Sequence, residues 1–370
     1  MKKARQLNFE ILRIVAMLLI VCLHYLGKGG ALTPATLEFG TNSYIAWLVE
    51  AFCYVSVNIY VLISGYFGSG STFSLRKIAR LWSQVLFYSV VIGVIMITVT
   101  GAWNNIDIYT VFGYVFPVVT EHYWFATAYL ILYIMMPFLN AGFEMLEQKT
   151  VKRIIVLLVC FSSVAKSVLP MDLPLDKAGY DILWFICLYL TGAYIREYRI
   201  GFLKRRLYGL MLYMVCALAT FAGMLVLRAL YLEKGMLHDM ITYTYSYNHL
   251  LCFLGAVGLF IACDRRGAKA ESWDSKVGVG KRIIYSIAGA TFGVYLIHEH
   301  VNLRYLWQQW FDCARFAQGS PIVFILHMTV TVIAVFIVCA VIEIIRQKLF
   351  HKIELLLTIK GRNKNAEKEK

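Results

Sequence analysis

The sequence predicts an all-α integral membrane protein: a polytopic bundle of about ten transmembrane helices with both termini in the cytoplasm. Three observations carry this: composition, the grouping of apolar residues, and the placement of basic ones. Of 370 residues, 60% are apolar and 16% charged, and the mean hydropathy is +0.65. Soluble domains run at roughly 45–50% apolar and about 25% charged. The apolar residues form long blocks such as Ile14–Leu26, Val85–Val99 and Val323–Val341 instead of alternating at strand period. A helical crossing takes roughly 17–25 residues, so helices rather than a barrel are indicated.

The blocks and their charged punctuation place spans near 7–27, 44–67, 80–100, 122–143, 152–170, 182–197, 207–230, 243–263, 283–302 and 322–348. With this alternation the N-terminus, the loops 68–80, 144–153, 196–206 and 264–282, and the tail hold 28 Lys and Arg, the opposite loops hold 7, and Arg13 lies inside the first span. Basic loops stay in the cytoplasm, which sets the orientation; the location expected is a bacterial plasma membrane, crossed many times. The net charge of +14 is spread over short loops rather than one aromatic-interleaved patch, so topology and not nucleic-acid binding accounts for it. Lys2, Lys3 and Arg5 before an apolar run resemble a signal peptide, but Arg13 in mid-run and the lack of a small-x-small cleavage site predict a retained span. Residues 1–350 read as the transmembrane domain and 351–370 as a basic cytoplasmic tail, with 361–370 solvated and disordered. The nine cysteines contain no Cys-x-x-Cys pair, and neither a disulfide framework nor a zinc site is expected. No internal repeat is visible.

In such a chain the informative residues are those that hydrocarbon excludes. Arg13 and His24 are eleven residues apart, which puts them within about 20° of one helical face and roughly 16 Å apart along the axis. One face then carries a cation toward the cytoplasm and an imidazole toward the outside. The plainer readings are a snorkelling arginine and an interfacial histidine. Glu121 and His122 open the fourth span, and His298, Glu299 and His300 close the ninth, all on the outer side. Histidine beside a carboxylate is material for proton transfer near neutral pH. No metal is expected, because His298 and His300 point about 200° apart on a helix. Asn58 and Ser64 are polar groups in the second span, where Ser64-Gly65-Tyr66 also suits close helix packing. Arg76, Lys77 and Arg80 precede the third span as a topology signal, or as a dock for a phosphorylated donor. Pro117, Pro137 and Pro170 mark span ends or kinks.

Asn8–His24, reading N-F-E-I-L-R-I-V-A-M-L-L-I-V-C-L-H, resembles the opening motif of the acyltransferase-three family of membrane acyltransferases, which pairs an arginine with a histidine eleven positions later. V-N-I-Y-V-L-I-S-G-Y-F at 57–67, H-Y-W-F-A-T-A-Y-L-I-L-Y-I-M-M-P-F-L-N at 122–140, W-F-I-C-L-Y-L-T-G-A-Y-I at 184–195 and G-V-Y-L-I-H-E-H at 293–300 agree with it in order. The resemblance implies ten helices and transfer of an acyl group, usually acetyl from acetyl-CoA, to a hydroxyl of a cell-surface glycan or wall-linked acceptor. It puts the essential histidine on His24, its paired arginine on Arg13, and the loop arginine on Arg80 or Arg76. Glu121, His298 and Glu299 are the candidate catalytic partners of His24. Arg13, Arg76 and Arg80 are the candidates for holding acyl-CoA, and Asn58, Ser64, His122 and Trp124 for binding the acceptor. Leu81-Trp82 stands where many members carry a proline. No hydrolase-type domain follows the helices, so any second transfer step would need another protein. A transporter or flippase for a small solute or lipid-linked sugar, and a sensor or serine-handling membrane module, are the competing classes.

Overall fold

A computed structural model describes residues 6–169, 177–198, 206–264 and 278–368, which are helical and contain no strand. Lys2, Lys3, Arg5, Pro170 and most of the loops 196–206 and 264–282 lie outside the described residues. Each of the ten apolar blocks contains a helix, but the one expected over 243–263 is helical only from Leu250, residues 243–249 being turns and loop. The blocks correspond to α1 (Leu7–Lys28), a broken pair α2 (Thr41–Cys53) and α3 (Ser56–Gly68), and α4 (Leu75–Thr100). After the short helix α5 (Ile108–Val115) come α6 (Trp124–Met145) and α7 (Gln148–Val159), the latter running through a π-helical turn into the short α8 (Ala165–Val168). Then follow α9 (Ile182–Tyr198), α10 (Arg206–Lys234), α11 (Leu250–Cys263), α12 (Val279–His298), the short α13 (Trp307–Trp310) and α14 (Cys313–Ala317), and α15 (Pro321–Lys368). By length and composition six are able to cross a membrane: α1, α2–α3 taken together, α4, α6, α10 and α15. The others fall short for visible reasons. The π turn interrupts α7–α8, α9 and α11 have 17 and 14 residues, and α12 begins with Lys281 and Arg282 in its first turns.

The first helix is the hub. Its apolar window is 61% buried, against 22% for α10, and it packs on α2, α3, α11, α12 and α15. The outer helices turn apolar side chains outward, as with Ile131, Ile134 and Phe138 on α6 or Ile322, Leu326 and Val330 on α15. That exterior suits hydrocarbon, where association rests on close packing rather than on burial from water. Glycine supplies the closeness where α3 crosses α9: a Cβ on Gly65 would strike the Tyr189 carbonyl, and one on Gly192 the Leu62 carbonyl.

The break between α2 and α3 has an identifiable cause. Tyr213 of α10 donates its hydroxyl to the Phe52 carbonyl at 2.8 Å, and Cys252 of α11 donates its thiol to the Tyr54 carbonyl at 3.4 Å. Side chains that take up backbone carbonyls loosen the i→i−4 ladder and bend a helix. Asp107 caps α5 by accepting from the Thr110 N–H at 2.7 Å, and the hydrogen bonds from Thr110 hold its carboxyl below the usual range. Pro137 sits inside α6 and Pro117 between α5 and α6. The segment 361–370, solvated chain by composition, is helical through Lys368; its Lys, Glu and Ala are good helix formers.

Candidate functional site

The two ends of α1 and α12 build the site. Position 24 on α1 and position 298 at the C-terminus of α12 are 274 residues apart in sequence, yet His24 Nδ1 lies 2.9 Å from His298 Nε2 and 3.2 Å from Oε2 of the adjacent Glu299. His298 Nδ1 faces the Val294 carbonyl at 2.6 Å. A carbonyl can only accept, so Nδ1 of His298 carries the proton and its Nε2 is an acceptor. The proton on His24 therefore sits on Nδ1 and is donated to His298, with Glu299 Oε2 beside it as an ion-pair partner once the ring is protonated, and Nε2 is the basic atom of His24. Glu299 is held in turn by Lys28, whose ammonium donates to Oε1, and by Arg304 at 3.8 Å. It is 4% exposed.

The loop after α12 fixes this arrangement. Trp307 Nε1 donates to the His298 carbonyl at 3.1 Å, and buried Gln308 donates to the His24 carbonyl at 3.2 Å and the Arg304 carbonyl at 2.8 Å. The His298 carbonyl belongs to the last turn of its helix, whose acceptors need partners from outside, while the His24 carbonyl lies one residue before the last turn of α1 and takes Gln308 as an additional donor. The short helix α13 thus serves as a lid plate that sets where both histidines point.

A cavity of about 630 Å³ connects these groups to the middle of the bundle, a size proper to a small-molecule site. His24, Lys28, Glu299, Arg304 and Tyr305 line it, together with Arg13, Tyr60 and Ser64 farther down α1 and α3. Arg13 is paired with Glu10 at 2.9 Å, while the Tyr60 hydroxyl donates to the Arg13 carbonyl at 2.7 Å. Trp124 also lines the cavity.

The structure thus brings together Arg13, His24, Glu299, Ser64 and Trp124 around one cavity, with His298 in contact with His24. Other expected residues stand elsewhere. Asn58 is fully buried behind the wall, donating to the Tyr247 carbonyl at 2.7 Å and accepting from Trp184 Nε1 at 3.0 Å. Glu121 is exposed in the turn before α6 with φ +51°, a left-handed backbone unusual for glutamate. His122 packs against Gly113 and Tyr114. His300 turns away from His298, its Nε2 on the Ser89 carbonyl at 3.1 Å, consistent with the divergence expected of alternate positions. Arg76 and Arg80 are exposed on α4, where Leu81 and Gln84 reach the cavity instead.

Sequence reasoning passed over Lys28, Arg304 and Glu50. Lys28 is four residues beyond His24 and so on its face, and Glu50 is a carboxyl inside an apolar block; both signals were available. Arg304 lies in an irregular loop and carried none. The ligand atoms of His24, His298 and Glu299 lie within 4.8 Å of one another, a grouping that could in principle hold a cation. The 2.9 Å nitrogen–nitrogen contact is a hydrogen bond, however, and Lys28 already supplies Glu299 with positive charge.

The chain matches no curated protein and no solved structure. The family model described as an acyltransferase domain matches residues 6–344, which takes in every cavity residue named above. The opening Arg13–His24 motif, a half-buried imidazole backed by a carboxylate, and this match over nearly the whole chain agree: the protein belongs to the acyltransferase-three family of membrane acyltransferases.

Proposed function

We propose that this membrane acyltransferase moves an acyl group, in the first instance acetyl, from cytoplasmic acyl-CoA to a hydroxyl of a cell-surface glycan or wall-linked acceptor. The proposed frame is ten spans with both termini in the cytoplasm. The observation that carries the reading is the His24 environment: one nitrogen fixed by His298 and Glu299, the other available in a cavity that also holds Arg13. In the proposed step His24 Nε2 takes the acceptor hydroxyl proton, and the alkoxide oxygen attacks the thioester carbonyl. The tetrahedral intermediate then collapses, breaking the C–S bond, and the CoA thiolate takes the proton from the imidazolium. Glu299 stabilises the imidazolium through Nδ1–H. The same Nε2 would carry the acyl group if transfer ran in two steps. Arg13, roughly 16 Å deeper, would meet the donor from the cytoplasmic side, with Arg76 and Arg80 outside the cavity as phosphate contacts. The test is release of CoA thiol from acetyl-CoA by purified protein, with and without membrane glycan fractions. Acceptor-dependent release is the expected result. Acetyl-CoA left intact with every fraction would overturn the reading and favour a carrier.

A further inference from the structure

One carboxyl of the cavity has no task in acyl transfer. Glu50, on α2 one turn before the break, lines the cavity, is only 7% exposed, and has an Oε2 without a hydrogen-bond partner. The other charged groups of the wall are matched: Arg13 with Glu10, and Lys28 and Arg304 with Glu299. Among the described residues Glu50 is the cavity carboxyl with no cation beside it. Its surroundings are aromatic. Tyr54, one turn on, stacks on Tyr247 with centroids 4.8 Å apart; Trp124 and Tyr180 lie 4.4 Å apart, and Tyr180 and Tyr247 5.0 Å. All four line the same cavity as His24.

We propose that Glu50 with Tyr54, Trp124, Tyr180 and Tyr247 forms a subsite for an ammonium group on the acceptor, so that the substrate is a hydroxyl-bearing cationic amine. Aromatic faces present negative charge density and attract a cation within about 6 Å of the ring centroid. A buried carboxyl without a counter-charge is costly, and a cation arriving from solution supplies the missing partner. A neutral hydroxyl offers Glu50 one hydrogen bond and leaves the electrostatic mismatch. An acceptor anchored here by its ammonium group places a neighbouring hydroxyl in the cavity shared with His24. This deepens the proposed function and rests on it only for taking the occupant to be the acceptor.

The test is titration calorimetry of the full chain in detergent with choline and with 3,3-dimethylbutan-1-ol, which has the same shape and hydroxyl but no charge. Choline should bind at least tenfold tighter, the scale of a desolvated cation–π contact. Glu50→Gln should bring the two ligands within about twofold of each other, and Trp124→Leu, which leaves the carboxyl in place, should weaken choline by about tenfold. Should Glu50→Gln fail to fold, Trp124→Leu decides. Equal affinities in the unmodified protein, a preference that survives Glu50→Gln, undiminished choline binding by Trp124→Leu, or no choline binding would each overturn the subsite. The readout needs no acyl-CoA: a lost ammonium preference with normal thiol release refutes the subsite alone, and the converse refutes the transferase reading alone.

Discussion

Single residues carry unequal weight at the site, and the hydrogen-bond pattern says which. With Nδ1 of His24 committed to His298 and Glu299, His24→Gln keeps polar contacts but has no atom to titrate. Acetyl transfer by well-expressed His24→Gln protein should fall by 10²–10⁴-fold, about what loss of a general base costs; transfer near the normal rate would remove both the base and the acyl-carrier role. Arg13 calls for a paired design. Arg13→Gln should raise KM for acetyl-CoA about tenfold, equivalent to about 1.4 kcal/mol of lost binding, but it also takes away the Arg13 charge paired with Glu10, which is 3% exposed. In the double variant with Glu10→Gln both charges of that pair are gone. A double variant with the original KM would show that Arg13 serves only to neutralise Glu10. The Arg13 and His24 positions were legible because helical periodicity converts a spacing of eleven into a shared face. The partners of His24 were legible only as a class, outer-side ionisable groups. Which of them meet it depends on how α12 ends and on the turn after it, and no local sequence rule encodes that. Glu121 and His122 look equivalent to His298 and Glu299 on paper, but a left-handed turn and packing on Gly113 hold them apart from the cavity.

Helices were the most legible level, because apolar blocks leave little choice of structure in hydrocarbon. What periodicity could not show was the break at Tyr54: α2 and α3 read as one span, and the disruption comes from Tyr213 and Cys252 on helices far along the chain. That break separates the Glu50 wall from the Ser64 end of the cavity. Close crossings were legible only as a tendency of Ser and Gly. Gly65 and Gly192 meet backbone rather than flexible side chains, so an added methyl has nothing to push aside. Gly65→Ala should cost about 1–3 kcal/mol through overpacking, seen as a lower melting temperature of the detergent-solubilised protein. Gly142→Ala, with open space at its Cβ position, should leave the melting temperature unchanged. A similar loss for both would argue against the α3–α9 crossing described here.

At the scale of the whole molecule, the proposed orientation rests on basic residues in loops, several of which lie outside the described residues. Labelling in intact cells tests it: a cysteine at Asn104 should react with an impermeant thiol reagent and one at Ser74 should not, and the reverse pattern would overturn the ten-span arrangement. The packing joins sequence extremes. Tyr25 bonds His327 at 2.8 Å, and Glu343 of α15 is fully buried while it accepts from Tyr88 at 2.6 Å, Gln84 at 3.1 Å and Arg346 at 2.8 Å. Glu343 also presses on Gly293 of α12. During synthesis, Tyr88 and Gln84 wait for a partner 255 residues downstream of Tyr88, which at about 5–20 residues per second is roughly 10–50 s. The early helices must therefore sit in the bilayer as a half-built bundle, with polar groups on α4 unanswered until α15 arrives. Ribosome-bound chains arrested before Pro321 should accordingly be held by insertion chaperones or cleared by membrane proteases, while chains released after Arg346 close around their own polar groups.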